Sequence, residues 1–431
     1  MVASSNGRAA VLVDGCRIPF QRSGTGYVDL SAYDMARMVL KGLFTRTGFD
    51  AAEVERVIMG CVVQNVETSN VAREAALAAG VPNHVPAFTV TMACISSNQA
   101  VTSGVDLIRG GIADVVVAGG TETLSDPPIQ VKRSVRKRLF KAQKAKSPGD
   151  YLQLLKGLRP SDVVPEAPSI AEFSTGEVMG ESADKLAAMF DVSREEQDEY
   201  ALLTHKRAAE AQADGRLQKE LVPASPPPDF EPINSDNTIR ADSTMEKLSS
   251  LSPVFVKPFG TVTAGNSSPL TDGASATLLM SEDRTRAEGF EPIGYLRDYV
   301  YVAQDPGDEL LLGPAYAIPK LLNKAGLSIA DIDVFELHEA FAGQVLAVLA
   351  ALRSESFARN NLNQSNPAGE IPMDKLNTRG GSVSLGHPFG ATGARLVTTA
   401  ANRLHEEDGE LALLSACAAG GQGVAMLIER A

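Results

Sequence analysis

The chain has 431 residues and a mass of 45.5 kDa, a length that predicts two or three domain-sized units of about 100–200 residues each. Its composition, 44% hydrophobic and 22% charged, is ordinary for a globular protein that buries its own core. Asp and Glu number 53 against 40 Lys and Arg, and the net charge of -13 argues against a nucleic-acid-binding function.

Four widely spaced cysteines predict the reduced thiols of an intracellular protein. They are Cys16, Cys61, Cys94 and Cys417. They form no CxxC pair, which argues against a zinc knuckle or a thioredoxin motif. The first residues contain no apolar stretch typical of a signal peptide, and no run reaches about 18 apolar residues. We therefore expect a soluble cytoplasmic protein.

The first 124 residues alternate between short apolar runs and stretches with helical periodicity. The helical faces fall at 36–44 and 100–108. Buried strands are predicted at 10–13, 57–59, 88–91 and 115–117. Such alternation predicts an α/β protein with buried strands.

Residues 125–250 break this alternation and are predicted to be an insertion. Residues 131–159 hold ten Lys or Arg and one acid, so this basic segment carries +9 and the rest of the chain -22. Val131, Val135 and Leu139 form a thin apolar stripe that predicts a basic helix.

A second helix of the insertion is predicted at 193–215. It begins at Ser193, and Glu196 completes a capping box. Five prolines at 223–232 exclude a helix or a central strand there.

The second half of the chain repeats the order of the first. A helix end, a Gly and a strand follow one another at 46–59 and again, 278 residues later, at 324–337. In each half a turn then precedes a helix and a buried strand, with Cys94 in the first turn and His387 in the second. This repetition predicts a duplicated fold, in which a pseudo-twofold axis brings Cys94 and His387 together.

Cys94 and His387 are the first candidates for chemistry. A thiol at a helix N-terminus ionises more readily and is a better nucleophile, although free cysteines are often buried and inert. His387 lies in a glycine-rich turn, where the backbone can approach a ligand closely. A Cys and His pair is the arrangement that activates a thiol nucleophile.

Cys417 and His338 are the other candidates. Cys417 follows a predicted strand, and a second thiol near the first could donate and accept a proton. His338 also follows a strand and could donate a hydrogen bond to an oxyanion. Ala342 stands where the zinc pattern HExxH needs its second His, so a zincin site is excluded there. Neither of two nucleotide-binding patterns occurs, GxGxxG after a strand or GxxxxGK. The sequence therefore does not support a dinucleotide or ATP enzyme.

Five segments resemble the active-site and CoA-facing blocks of the thiolase family, in the family's order. They are MACISSNQA, GTVTAGNSSPLTDGASA, HEAF, GHPFGATGAR and CAAGGQG. The resemblance implies two βαβαβαββ halves in a five-layered αβαβα core with an inserted loop domain. On that basis the first half comprises 1–124 plus 251–285, the loop domain 125–250 and the second half 286–431.

The resemblance also implies roles for individual residues. Cys94 matches the nucleophile that becomes acylated, His387 its base, and Cys417 the acid and base for the α-carbon of the acetyl-CoA unit. His338 matches a position that helps to form one oxyanion hole, and the backbone N–H groups of Cys94 and Ala419 would form the other. The resemblance implies no metal and no cofactor, and CoA takes part as a substrate. The residues implied to contact CoA are Met179, Ala264, Ser268, Ala340 and Phe341.

His338 stands where many family members have Asn. Together with EFSTGEVMG at 172–180, the HEAF form resembles the β subunit of the trifunctional enzyme of fatty-acid oxidation. This favours a degradative 3-ketoacyl-CoA thiolase for medium or long chains. A dedicated acetoacetyl-CoA enzyme commonly has a His just before the residue that matches Met179, and Val178 stands there.

Alternative functions stay open from the sequence. An acetoacetyl-CoA thiolase could work in the biosynthetic direction. A 3-ketoacyl synthase would use Cys94, His338 and His387, but it would lack a catalytic Cys417 and carry an HGTGT-type block where this chain has HEAF. A non-catalytic scaffold is disfavoured by the complete set of four residues.

The predicted partners are CoA and acyl-CoA, with a homodimer or dimer of dimers as the assembly. The basic segment 131–159 has three interpretations. It is a solvated loop that attracts the CoA phosphates, a peripheral contact with an anionic membrane, or a docking surface for a hydratase/dehydrogenase α chain.

Overall fold

The computed structural model describes residues 8–166 and 171–431. Within these ranges the chain forms ten β-strands. Their bounds are β1 Ala10–Arg17, β2 Gln21–Arg22, β3 Arg56–Gly60, β4 Ala87–Val90, β5 Val115–Glu122, β6 Thr271–Ser281, β7 Gly294–Ala303, β8 Val334–Leu337, β9 Leu411–Ala418 and β10 Gln422–Glu429.

The same ranges contain fourteen α-helices. Their bounds are α1 Ala32–Thr47, α2 Val71–Ala78, α3 Ser96–Arg109, α4 Arg133–Ala142, α5 Pro148–Leu155, α6 Met179–Met189, α7 Arg194–Ala213, α8 Met245–Ser249, α9 Glu282–Glu288, α10 Gly313–Ala325, α11 Ala342–Arg353, α12 Glu355–Asn361, α13 Ser382–Leu385 and α14 Thr392–Glu406. Among the described residues, none of these helices combines the length and the apolar character that a membrane crossing requires.

The strand order shows the duplication directly. The first half forms β4-β3-β5-β6-β1 and the second forms β7-β10-β9-β8. In both halves two parallel strands, β3 with β5 and β8 with β9, are followed by an antiparallel strand, β6 or β10. The halves join where β1 pairs with β7 at Val11–Tyr295 and Leu12–Gly294.

The repeat of 278 residues is confirmed in detail. Helices α1 and α10 both end at a left-handed glycine, Gly48 with φ 69° and Gly326 with φ 68°. A short 3₁₀ turn follows each, Ala51–Glu53 and Ile329–Asp331. Strands β3 and β8 then begin 278 positions apart. Glycine is needed at both helix ends, because a Cβ there is strained at positive φ.

Three buried clusters correspond to the layers of the fold. Alternate residues of a strand point to opposite faces, so Val115 and Val117 pack with α1 and α2, whereas Val116 and Ala118 pack with α3 and α14. The third cluster lies between the second half's strands and helices α10 and α11. The order is therefore helix, sheet, helix, sheet, helix, with α3 and α14 in the middle layer.

Helices α4 to α8 lie between β5 and β6, where the insertion is predicted, and β6 then returns to the first half's strands. The capping box of α7 is confirmed, since the Ser193 hydroxyl accepts the Glu196 N–H at 3.2 Å. The basic segment forms two helices, because Ser147 caps a new helix at Pro148. The domain boundaries themselves stay predictions.

Candidate active site

Cys94 lies in a tight turn between β4 and α3. Ala93 has φ +46°, a left-handed conformation that non-glycine residues seldom adopt. The Ser96 hydroxyl holds this turn, because it donates to the Ala93 carbonyl at 2.6 Å and accepts the Met92 N–H at 2.8 Å. A strained turn of this kind is typical of functional sites.

The Cys94 thiol is protonated at neutral pH. Burial raises its pKa to about 11, while N–H groups of Ala419 and of Cys94 itself oppose this shift. The N–H groups lower the pKa, as expected at a helix N-terminus, but burial raises it by more, so the net shift is upward. Desolvation of a charged thiolate outweighs the nearby N–H donors. The nucleophile must be formed by proton transfer when it attacks.

Cys417 lies near the end of β9 and is buried. Burial and the neighbouring Cys94 both raise the pKa of its thiol, so it too is neutral. Two residues later, the backbone N–H of Ala419 donates toward the Cys94 sulfur. These interactions place Cys94, Cys417 and Ala419 in one region, although they come from different halves of the chain.

His387 is held as an unprotonated base. Its Nδ1 lies 2.7 Å from the Thr392 hydroxyl oxygen, and that hydroxyl donates its hydrogen to the Pro388 carbonyl at 3.1 Å. When the hydroxyl donates to Pro388, its oxygen accepts from His387 Nδ1–H, which leaves a lone pair on Nε2. Burial, aided by the charge of Arg395, lowers the pKa of His387 to about 3.

His338 lies beside His387, with ring centroids 4.1 Å apart. The residue follows β8, and its backbone N–H donates to the Ser415 carbonyl at 2.9 Å, two residues before Cys417. Burial holds the pKa of His338 well below its usual range. The structure thus brings His338 into the region of the other candidates.

The two central helices join the Cys94 and His387 segments. The Ala394 N–H of α14 donates to the Ser97 hydroxyl of α3 at 3.0 Å. Gly393 allows this approach, because a Cβ there would lie 2.6 Å from the Asn98 backbone nitrogen. The pseudo-twofold arrangement predicted from the repeat is therefore present at the site.

Two buried glutamates support the site and were missed from the sequence. Glu122 accepts backbone N–H groups of Val63 and Gly390, both at 2.9 Å, and thereby ties the end of β5 to the His387 turn. Burial raises the pKa of Glu122 to about 7. Glu339 accepts from Tyr200 at 3.0 Å and Asn377 at 2.7 Å. A Glu inside an apolar run, as in HEAF, was the available signal.

Most of the predicted CoA-contacting residues lie together. The Ser268 N–H donates to the Ala340 carbonyl at 3.0 Å. Phe341 packs edge-on against Phe255 at 6.2 Å, and Met179 packs on the same cluster. Ala264 lies exposed in the segment that contains Ser268. The roles of these residues in binding CoA stay predictions.

Profiles of two families together match almost the whole chain. The Thiolase, N-terminal domain family matches residues 10–283, and the Thiolase, C-terminal domain family matches residues 290–430. This chain belongs to the thiolase family. Within the described residues of this thiolase, no group of three or more His, Cys, Asp and Glu could hold a metal ion.

Individual relatives of this thiolase agree with the family assignment. It is 55% identical to the mitochondrial trifunctional enzyme subunit beta of Mus musculus, over 99% of this chain and 90% of the mouse protein. The acetyl-CoA acetyltransferase of Bacillus anthracis superposes with a TM-score of 0.85 at 32% identity, covering 99% and 100% of the two chains.

A second solved structure is human mitochondrial 3-ketoacyl-CoA thiolase in complex with CoA. Its TM-score is 0.82 at 31% identity, and 98% of each chain is covered. The predicted family and thiolase fold are therefore confirmed.

Proposed function

We propose that this chain is a 3-ketoacyl-CoA thiolase of fatty-acid β-oxidation. In this reaction CoA cleaves 3-ketoacyl-CoA to acetyl-CoA and an acyl-CoA that is two carbons shorter. The observation that carries the proposal is the meeting of two thiols and two neutral imidazoles, contributed by four distant segments. The names of the mouse and human relatives, one a trifunctional enzyme subunit and the other a 3-ketoacyl-CoA thiolase, support it.

The first half-reaction begins at Cys94. His387 Nε2 takes the thiol proton, and the sulfur attacks the 3-keto carbon of the substrate. The bond between C2 and C3 then breaks, and its electron pair forms the enolate of acetyl-CoA. Cys417 gives its proton to C2 of that enolate. This leaves the shortened acyl group as a thioester on Cys94.

The second half-reaction transfers that acyl group to CoA. Cys417, now a thiolate, takes the proton of the incoming CoA thiol, whose sulfur attacks the acyl-Cys94 carbonyl. Collapse of the tetrahedral intermediate expels the Cys94 sulfur, which recovers its proton from His387. Kinetics of this type are ping-pong.

Both half-reactions create negative oxygen atoms that need fixed donors. In the proposed mechanism the backbone N–H groups of Cys94 and Ala419, which both converge on the Cys94 sulfur, donate to the tetrahedral oxyanion. His338 donates to the enolate oxygen. Neutral groups suit this chemistry, because a permanent charge in so buried a site would cost more than it stabilised.

CoA enters as a substrate, and we propose that no metal or other cofactor takes part. In the proposed binding site the CoA arm runs past Met179 and Phe341 toward Cys94, along the segment that contains Ser268. The absence of a metal requirement would be checked by dialysis against a chelator, which should leave the rate unchanged.

A single assay tests the substrate class. CoA-dependent loss of 3-ketoacyl-CoA would be measured from acetoacetyl-CoA to 3-ketohexadecanoyl-CoA, with Cys94→Ala as the inactive control. We expect the highest kcat/KM on a chain longer than acetoacetyl-CoA. Activity confined to acetoacetyl-CoA would instead support an acetoacetyl-CoA thiolase.

We further propose that the basic segment 131–159 contacts an anionic membrane. Helices α4 and α5 pack on each other, with Arg138 donating to the Lys156 carbonyl at 2.8 Å. Phe140 and Leu152 are 69% and 68% exposed beside the excess positive charge. Exposed apolar side chains next to Lys and Arg are typical of helices that lie at an anionic interface.

Vesicle flotation tests the membrane contact, and a binding assay with an α chain tests the docking surface. The intact chain should float with phosphatidylglycerol vesicles at low salt, whereas deletion of 131–146 and the triple variant Lys137→Glu, Lys141→Glu, Lys144→Glu should not. Equal flotation of all three proteins would remove the membrane contact. Loss of binding to a hydratase/dehydrogenase α chain in the same variants would favour the docking surface.

The assembly and the location are proposals of the same kind. We propose a homodimer or a dimer of dimers that can add an α chain, as the word "subunit" in the mouse relative's name suggests for that protein. Analytical ultracentrifugation of the chain alone and with an α chain would measure both states. The cytoplasmic location stays a prediction, which fractionation of the source cells would test.

A further inference from the structure

His338 has one hydrogen-bond partner on the far side of its ring. Its Nδ1 lies 2.9 Å from the hydroxyl oxygen of Ser382, the first residue of α13. Both residues are fully buried. A neutral imidazole carries its proton on either ring nitrogen, and the partner of one nitrogen decides which. Ser382 therefore controls the side of the ring that faces the site.

The direction of this hydrogen bond follows from Arg395. Its Nη2–H donates to the Ser382 oxygen at 3.2 Å, and a guanidinium has no acceptor. The Ser382 oxygen accepts from Arg395, and among the described residues its own hydrogen has no acceptor within hydrogen-bond distance other than His338 Nδ1. Donation by a cation also makes the hydroxyl a better donor, since hydrogen bonds in a chain polarise one another.

Arg395 is itself held in place. It is 1% exposed and forms an ion pair with the buried Glu336 at 3.5 Å. Glu336 also pairs with Arg403 at 2.8 Å. A buried guanidinium with these partners cannot turn away from Ser382 without leaving Glu336 with one fewer cation.

The hydrogen bond from Ser382 to Nδ1 also determines the protonation of the other ring nitrogen of His338, Nε2. If Nδ1 accepts from Ser382, the proton of His338 is on Nε2. This Nε2 is buried and has no partner among the described residues, as is also true of His387 Nε2. Thr392 gives His387 the opposite arrangement, with a lone pair on Nε2. The two adjacent rings thus present one donor and one acceptor.

We infer that Ser382, fixed by Arg395 and Glu336, is a positioning residue that keeps the proton of His338 on Nε2, so that this ring donates to the enolate oxygen of the substrate. The inference rests on the proposed thiolase function. The other tautomer of His338 would direct a lone pair at the same negative oxygen and repel it.

Ser382→Ala tests the role in catalysis. Removal of one oxyanion donor lowers kcat by about 10²–10³. In Ser382→Ala the His338 ring can populate both tautomers, so kcat should fall by part of this factor. We expect kcat to fall about 10- to 100-fold with the KM for CoA within about twofold. Ser382→Thr keeps the hydroxyl and should recover most of the rate. Full activity of Ser382→Ala would overturn the inference.

A double-mutant cycle separates positioning from a structural role. An Asn amide has a fixed N–H donor and no tautomers, so in a His338→Asn background Ser382→Ala should cost less than about threefold. An equal loss in both backgrounds would mean that Ser382 acts on folding or packing, and it would contradict the inference. Thermal melts of all four proteins would confirm that each is folded.

A spectroscopic readout works even without turnover. In protein labelled with ¹⁵N-histidine, the His338 signals are identified by their loss in His338→Asn. In wild type, the ¹⁵N chemical shifts of His338 should be those of a protonated Nε2 and an unprotonated Nδ1. In Ser382→Ala, each shift should be an average over the two tautomers. Protonation of Nδ1 in wild type would overturn the inference. Absence of thiolysis with the expected tautomer would instead contradict the proposed function alone.

Discussion

Two histidines whose rings are 4.1 Å apart receive opposite roles from one hydroxyl each. The Thr392 hydroxyl donates its hydrogen to the Pro388 carbonyl and accepts from His387 Nδ1–H. The Ser382 hydroxyl instead accepts from Arg395 and donates to His338 Nδ1. Burial keeps both rings neutral, so these hydrogen bonds, and not charge, decide which ring is the base.

The first prediction concerns Thr392. Thr392→Val keeps the shape of the side chain but removes the oxygen that accepts from His387 Nδ1–H. The imidazole would then also populate the tautomer with its proton on Nε2, which cannot take a proton from Cys94. We expect kcat for thiolysis to fall about 10- to 100-fold, since general base catalysis contributes about 10²–10⁴.

Thr392→Ser is the matched control, because it retains the hydroxyl. Its kcat should stay within about threefold of wild type. Thiolysis at the wild-type rate in Thr392→Val would show that the tautomer of His387 is not set by this contact.

The sequence predicted the reactive side chains but not the residues that orient them. Cys94, His387 and Cys417 lie in glycine-rich or turn segments that resemble family blocks. Ser382 contacts His338, 44 residues away, and Glu122 contacts Gly390, 268 residues away, and nothing local in the sequence signals such contacts.

At the scale of elements, the site depends on how closely α3 and α14 approach. Their N-termini carry the turns that hold Cys94 and His387, and the Ala394 N–H to Ser97 hydrogen bond joins them. Glycine at position 393 is required here for space and not for its backbone freedom, since no positive φ is involved.

The second prediction follows from this contact. In Gly393→Ala the added Cβ meets the Asn98 backbone nitrogen, which cannot move without shifting α3. We expect the free energy of unfolding to fall by about 1–3 kcal/mol, as in other overpacked cores, and kcat to fall more than about tenfold. Circular dichroism should follow unfolding, since the chain has no Trp.

Gly48→Ala provides a control with the same chemical change. Gly48 has φ 69° and open space around it, so the variant should lose about 1–2 kcal/mol of stability through strain alone. Its kcat should be unchanged. Equal kcat in the two variants would show that the approach of α3 and α14 does not matter for catalysis.

The elements themselves were predictable to different degrees. Glycines and capping residues repeat in sequence, which is why α1 and α10, and β3 and β8, were placed correctly at an offset of 278. The second half has no strand equivalent to β4, and only a bridge from Leu376 to Phe335 stands there. Pro367 and Pro372 in the preceding segment lack the N–H groups that a longer strand would need.

At the scale of the whole molecule, burial shifts the pKa values of His205 and Glu122 in opposite directions. Burial lowers the pKa of His205 to about 4 and raises that of Glu122 to about 7. Between pH 4 and 6.5 the unfolded chain binds a proton at His205 that the folded chain does not, so this residue makes stability rise with pH. Between pH 4.5 and 7 the folded chain binds a proton at Glu122 that the unfolded chain does not, so Glu122 makes stability fall as pH rises.

The third prediction isolates the His205 contribution. His205 Nδ1 accepts the Arg240 N–H at 3.2 Å, and in His205→Asn the amide oxygen can take that place without titrating. From pH 7 to pH 5, wild type should lose about 1–2 kcal/mol more stability than the variant. Parallel pH profiles in urea unfolding would contradict a neutral, buried His205.

The duplicated halves explain why residues nearly three hundred positions apart cooperate. The repeat in the sequence predicted that Cys94 and His387 occupy equivalent turns, and Cys417 and His338 were candidates because each follows a predicted strand. The approach of the halves could not be read from spacing alone, since it depends on the middle helices and on β1 pairing with β7.

Mass spectrometry of the intact chain tests the central claim most directly. Wild type mixed with 3-ketohexadecanoyl-CoA without added CoA should gain one tetradecanoyl group, mapped to Cys94. Cys417→Ala should gain it from tetradecanoyl-CoA but far more slowly from the 3-keto substrate, and His387→Ala from neither. Acylation at another residue, or equal acylation of Cys417→Ala from both donors, would contradict the shared site of Cys94, His387 and Cys417.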